Sequence, residues 1–135
     1  MVAVDFSKAS RKAFDAAVAL AADLDATLVL VHAFAPMPKA GARGPIGQAK
    51  AEIDAFEWRD LSEAWAAEAR KKASVAIVGR EGKAPEVIAK VVATHKARLV
   101  VVGSHGRGGL RRAVLGSVAE AVVRSSKVPV VVVPA

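Results

Sequence analysis

Two kinds of apolar pattern alternate along the chain. Short runs that are apolar throughout occur at Val2-Ala3-Val4, at residues 27–33, at Val75-Ala76-Ile77-Val78, at Leu99-Val100-Val101-Val102 and at Val130-Val131-Val132-Val133. Their length and β-branched composition are those of strands covered on both faces. The first run stops at Asp5, and Ser7 and Ser10 then offer caps for a helix. Over 13–24 the larger apolar residues Phe14, Val18 and Ala21 recur at helical spacing, so one face of that helix packs on a sheet.

The next segments are read the same way. Pro36, Pro38, Gly41, Gly44, Pro45 and Gly47 crowd together and predict an irregular exposed loop. A long helix follows over 49–73, with Ile53, Phe56, Leu61, Ala64 and Trp65 inward and Arg59, Ser62, Glu63 and Arg70 outward. Trp58 and Trp65 sit on that helix as packing residues rather than as a platform for bases. Residues 79–84 read as a turn, and Pro85 sits in the first turn of a helix reaching about His95, where its missing N–H costs little. A last helix covers 116–125.

The resulting order, βαβαβαβαβ, predicts an α/β fold of three layers: a mainly parallel sheet with helices on both faces. In such sheets ligands bind beyond the carboxyl ends of strands, where the strand order reverses. Asp5, Ala33 and Gly103 end three of the predicted strands and become the positions to inspect.

Composition narrows the possibilities further. At 135 residues the chain suits a single domain spanning 1–135, and its hydrophobic fraction of 53% argues against disorder. No apolar run reaches the roughly 18 residues needed to cross a bilayer, and the start lacks the pattern of a secretory signal, so a cytoplasmic location is expected. Without cysteine there are no disulfides, thiolate metal sites or cysteine nucleophiles. The net charge of +7 raises a nucleic-acid reading, but the cations are scattered along helix-forming stretches and read mostly as solvated faces.

The segment 103–117 carries the chemistry. Glycines at 103, 106, 108, 109 and 116 clear side chains from backbone N–H groups, and Gly116-Ser117 opens a helix whose N-terminal dipole and hydroxyl suit a phosphate. Arg107, Arg111 and Arg112 flank this segment and would neutralise a phosphate tail. It is neither a P-loop, since no Lys precedes Ser117, nor a dinucleotide fingerprint, since Arg111 stands where the third glycine belongs. No nucleophile paired with a base, carboxylate pair or metal-ligand cluster is evident, and nothing nearby orients His105 as a base; His32 and His95 read as structural.

The spacing Gly103-x2-Gly106-x9-Gly116-Ser117, after one apolar strand and before Val-Pro-Val-Val-Val-Val, resembles the nucleotide-binding segment of universal stress proteins. The resemblance extends to Val2-Ala3-Val4-Asp5-Phe6-Ser7, Leu30-Val31-His32-Ala33 and Gly82-Lys83-Ala84-Pro85-Glu86-Val87-Ile88. It implies a five-stranded sheet of order 3-2-1-4-5 and an ATP-binding member, acting as a stress-response or regulatory module. Carried over, Asp5 would contact the ribose and adenine end, and the Ala33 backbone would meet the base. Val102, Gly103, Gly106, Gly116, Ser117 and Val118 would hold ribose and phosphates, with Mg²⁺ accompanying ATP. Ala3 offers the base less surface than the larger residue of some relatives, and strand one is shorter than is usual in the family. The resemblance also implies a homodimer through the edge strand from Val130 to Val133. Two other functions stand beside this one: a slow nucleotide-hydrolysing enzyme, and a basic nucleic-acid-binding protein.

Overall fold

Every one of the five apolar runs forms a strand, and all pair in parallel. In a computed structural model that describes residues 1–34, 44–105 and 115–135, the chain runs through β1 (Val2–Ala3), α1 (Lys8–Asp23), β2 (Leu28–Phe34), α2 (Gly44–Ala69), β3 (Val75–Glu81), α3 (Ala84–Thr94), β4 (Val100–Gly103), α4 (Ser117–Ser125) and β5 (Val130–Val133). The strands form one five-stranded sheet in the order β3-β2-β1-β4-β5. Registers pair Val2 with Leu30 and Val101, Val29 with Ala76, and Val101 with Val131.

Successive side chains of a strand point to opposite faces, and the sheet is buried on both. Val2, Leu28, Leu30 and Val101 join Phe14, Ala17, Val18 and Ala21 of α1 and Ala69 of α2. On the other face Val29 and Val31 meet Val87 and Val91 of α3, while Val100 and Val102 meet Ile88 of α3 and Ala119 and Val122 of α4. The helices therefore form two layers enclosing the sheet. Among the described residues no helix is long and apolar enough to cross a membrane.

Helix α1 starts earlier than its apolar spacing implies. Ser7 caps it, its hydroxyl accepting the Ser10 N–H at 3.2 Å, and the first turn is held by this bond before any large apolar residue is reached. Helix α2 also starts earlier than expected, at Gly44, so Gly44, Pro45 and Gly47 are helical rather than part of a loop; proline in a first turn loses no intrahelical bond. Pro36, Pro38 and Gly41 lie outside the described residues.

The inward face of α2 differs from the expected one. Ser62, Ala66 and Ala69 are fully buried and Trp65 packs against the core, whereas Leu61 is 38% exposed and Ala64 is exposed. The side chains of Ile53 and Phe56 lie outside the described set. Positions 58, 62, 66 and 69 share one helical stripe, and its small residues let the helix approach the sheet closely; hydrophobicity alone pointed at the neighbouring stripe. Ser62 Oγ is buried there without a hydrogen-bond partner among the described residues. Removing an unsatisfied buried hydroxyl relieves its desolvation, so Ser62→Ala is expected to raise stability by about 1 kcal/mol, read as a higher urea midpoint with an unchanged slope. A lower midpoint would show that the hydroxyl has a stabilising partner.

Strand β3 is longer than its apolar run. Gly79, Arg80 and Glu81 continue it instead of turning, and the turn falls at Gly82, where φ is +139°. The extension pairs with His32, Ala33 and Phe34 of β2, and glycine stands at 79 because the Trp58 indole of α2 occupies the space that a Cβ there would need.

Candidate functional site

The strand order places β1 between β2 and β4, and the chain leaves β1 and β4 toward opposite faces of the sheet. After β1 it enters α1 on one face, and α4, which follows β4 in the chain, lies on the other. A crevice opens between such divergent connections, at the carboxyl ends of the two strands.

The first wall is the β1–α1 turn. Val4 N–H donates to Val31 O at 2.9 Å, and His32 Nδ1 lies 2.8 Å from Val4 O, so the exit of β1 is tied to β2 through both backbone groups of Val4. Asp5 Oδ1 accepts the Ser7 N–H at 3.0 Å. Between them Phe6 has a left-handed backbone, φ +60°, a costly conformation for a bulky residue that persists where surroundings enforce it. Its ring is held by His32 at 5.0 Å and, edge to face, by Trp65 at 5.3 Å. Asp5 is therefore aimed by a packed turn rather than by a free loop. The helix cap is Ser7, leaving Asp5 a separate place just before it.

Ala3 and Ala33 each carry only a methyl side chain, and both point to the α3 and α4 side. Ala3 is in register with Val31, two positions before Ala33. Val102 is buried in the same layer, at 3% exposure. At the end of β4 a Cβ on Gly103 would stand 2.9 Å from the Ala9 carbonyl carbon and 3.0 Å from its oxygen, so α1 begins directly against this backbone.

The glycine-rich segment is closed at its base. Gly116 N–H donates to Ser104 O at 2.6 Å, which brings the start of α4 beside the end of β4. Gly116 is the N-cap, with φ −70° and ψ 155°, and supplies no side-chain oxygen to the first N–H groups of the helix. Ser117 is exposed and Val118 is 39% exposed, both in the first turn. Gly106, Arg107, Gly108, Gly109, Arg111 and Arg112 lie outside the described residues.

Sequence reasoning passed over Ser104, whose buried hydroxyl stands 3.0 Å from His105 Nδ1. A side-chain partner for His105 therefore exists, contrary to the expectation that none orients it; a serine before a histidine in a glycine run carries no periodic signal. His32 is structural, as expected, held between Phe6 and Trp58. His95 is exposed at the end of α3. Trp58 and Trp65 both pack, Trp58 on Phe34 at 5.7 Å and Trp65 on Phe14 at 5.0 Å.

Charge near the crevice is partly committed. Arg11 in α1 binds Asp15 at 3.0 Å and Glu68 at 2.5 Å, and lies over the Trp65 ring. Hydrogen bonding to Glu68 holds the guanidinium above its ordinary range, and the same bond pulls the Glu68 carboxyl below its own. Arg11 thus links α1 to α2. Among the described residues no group of three or more His, Cys, Asp or Glu side chains is placed to hold a metal ion. A cavity of about 620 Å³ lies along β3, lined by residues 77–81 and His95, at the sheet edge and away from the β1–β4 crevice.

Comparison with known proteins agrees with this architecture. The model of the universal stress protein family matches residues 1–134. A universal stress protein of Mycobacterium bovis is 34% identical over 144 aligned residues, covering 98% of this chain and 42% of the relative. The chain therefore spans less than half the length of that relative. Among solved structures, UspA from Lactobacillus plantarum superposes with a TM-score of 0.87 at 21% identity, covering 98% of this chain and 95% of that one. A universal stress protein in complex with cAMP superposes at 0.66 with 26% identity, covering 98% and 93%. With a family match along the whole sheet and every helix, the chain belongs to the universal stress protein family.

Proposed function

We propose that the chain binds an adenine nucleotide, ATP, in the crevice between β1 and β4, and acts as a nucleotide-responsive stress or regulatory module. The observation that carries this reading is the 2.6 Å bond from Gly116 N–H to Ser104 O, which sets the start of α4 beside Gly103 at the point where strand order reverses. Unpaired N–H groups of a helix start favour an anion. In this reading Gly103, Gly106, Gly116, Ser117 and Val118 take ribose and phosphates with Val102, and Arg107 neutralises the phosphate tail. Asp5 meets the ribose and adenine end, the Ala33 backbone the base, and Ala3 lies beneath it. The related structure holding cAMP supports the ligand class. A Mg²⁺ ion would rest mainly on phosphate oxygens, since the described residues offer no carboxylate cluster for it.

The test is equilibrium dialysis with ATP. Gly116→Val places a branched side chain where the phosphate approaches, and the expected result is a loss of affinity of at least tenfold with the fold retained. Unchanged affinity would remove the phosphate site from α4. A charge-driven nucleic-acid binder would instead show steep salt dependence on duplex DNA, indifferent to Gly116→Val.

The proposal includes a homodimer. β5 is an outer strand of the sheet, pairing among the described residues with β4 alone, and such an edge of four valines is a template for a second strand. Sedimentation at micromolar concentration is expected to give twice the chain mass; a single-chain mass would contradict the pairing.

A further inference from the structure

The nucleotide reading uses the Ser104 carbonyl, but not its side chain or the junction it forms with the end of β5. It is 7% exposed. Its N–H donates to Val133 O at 2.8 Å, its carbonyl accepts the Gly116 N–H at 2.6 Å, and its Oγ accepts the Ala135 N–H at 3.0 Å while facing His105 Nδ1 at 3.0 Å. One residue thus binds the last residue of β5, the cap of α4, the chain beyond β5 and the start of the glycine-rich segment. The backbone bonds would exist with any residue. The side chain accepts the Ala135 N–H, and toward His105 Nδ1 it donates or accepts according to the imidazole tautomer, which a small hydroxyl does in either case.

We propose that Ser104 is a positioning residue that couples the nucleotide site to the chain following β5; the proposal rests on the nucleotide reading above. Its hydroxyl is not among the proposed ligand contacts. It acts by holding the start of the glycine-rich segment against the docked Pro134-Ala135, so that ordering one end orders the other. Binding at the site and docking of residue 135 are then linked, and linkage is reciprocal: whatever factor the docked residue adds to ATP affinity, ATP adds to the docking. A partner that draws residue 135 away from Ser104 would loosen the nucleotide, and this is the regulatory input the geometry provides.

The test uses two variants that cut the link from opposite sides. Ala135→Pro removes the N–H donor at an exposed position outside the proposed ligand contacts, and Ser104→Ala removes the acceptor. Without ligand, both are expected to speed amide exchange at His105 and Gly116 while β1 and β2 amides stay protected. With ATP, both are expected to weaken binding by roughly threefold to tenfold, the worth of one buried hydrogen bond. Ser104→Thr, which keeps the hydroxyl, is expected to restore most of the affinity, and ATP is expected to slow exchange at the parent's Ala135. Parent-like exchange and parent-like ATP affinity in Ala135→Pro would overturn the coupling. Faster exchange in both variants, with no ATP binding by the parent, would leave the mechanical link standing and overturn the nucleotide reading instead.

Discussion

Adding one methyl group at Gly79 is expected to lower stability by about 2 kcal/mol, although the position is an ordinary strand residue with no unusual backbone angle. The methyl would coincide with the six-membered ring of Trp58. That ring is not free to swing aside. It stacks on Phe34 at 5.7 Å and on His32 at 6.0 Å, and its helix is fixed by the burial of Ser62, Ala66 and Ala69 one, two and three turns further on. The new Cβ therefore displaces the indole from two aromatic contacts or pushes α2 off the sheet. Urea unfolding of a double-mutant cycle separates this from a general intolerance of β3. In a Trp58→Ala background the cost of Gly79→Ala should fall by more than half, because the obstructing ring is gone. An equal cost in both backgrounds would mean that Trp58 is not what keeps residue 79 a glycine.

Gly103→Ala is expected to cost more, about 3 kcal/mol, because the obstruction is backbone. The added Cβ would meet the Ala9 carbonyl carbon at 2.9 Å, its oxygen at 3.0 Å and the Ser10 nitrogen at 3.2 Å, all within the first turn of α1. A side chain can rotate away, but a hydrogen-bonded helix turn moves only as a unit. The displacement would travel to Ser7 and Asp5, whose bond at 3.0 Å shapes one wall of the crevice. A second effect follows for the proposed ligand: ATP affinity should fall at least tenfold in the folded fraction, measured calorimetrically at low temperature. Wild-type stability in Gly103→Ala would show that α1 does not lie against β4 at this point.

Much of this architecture was legible from periodicity. β5 was delimited to the residue, and β2 and β4 to within one, because uniformly apolar runs between helical stretches have few other readings. The strand order and the place of the glycine-rich segment at the reversal followed from the family resemblance and the alternation of elements. The misses share a cause, which is that a residue's partner lies far away in sequence. Gly79 read as a turn because the indole that excludes its side chain sits 21 positions earlier. Ser62 read as a surface residue because serine is polar, yet a close helix-to-sheet contact needs small size more than hydrophobicity. Ser104 carried no signal at all, since its contacts to Val133 and Ala135 come from the far end of the chain. Phe6 could not announce a left-handed backbone, which is imposed by His32 and Trp65 rather than chosen locally.

The most direct test of the central claim is a titration of ¹⁵N-labelled protein with ATP, followed by amide resonances. The account predicts saturable shifts at Asp5, Ala33, Gly103, Gly116, Ser117 and Val118, with residues 77–81 and His95 beside the β3 cavity undisturbed. No shift at millimolar ATP, or shifts confined to the β3 edge, would contradict a nucleotide site between β1 and β4.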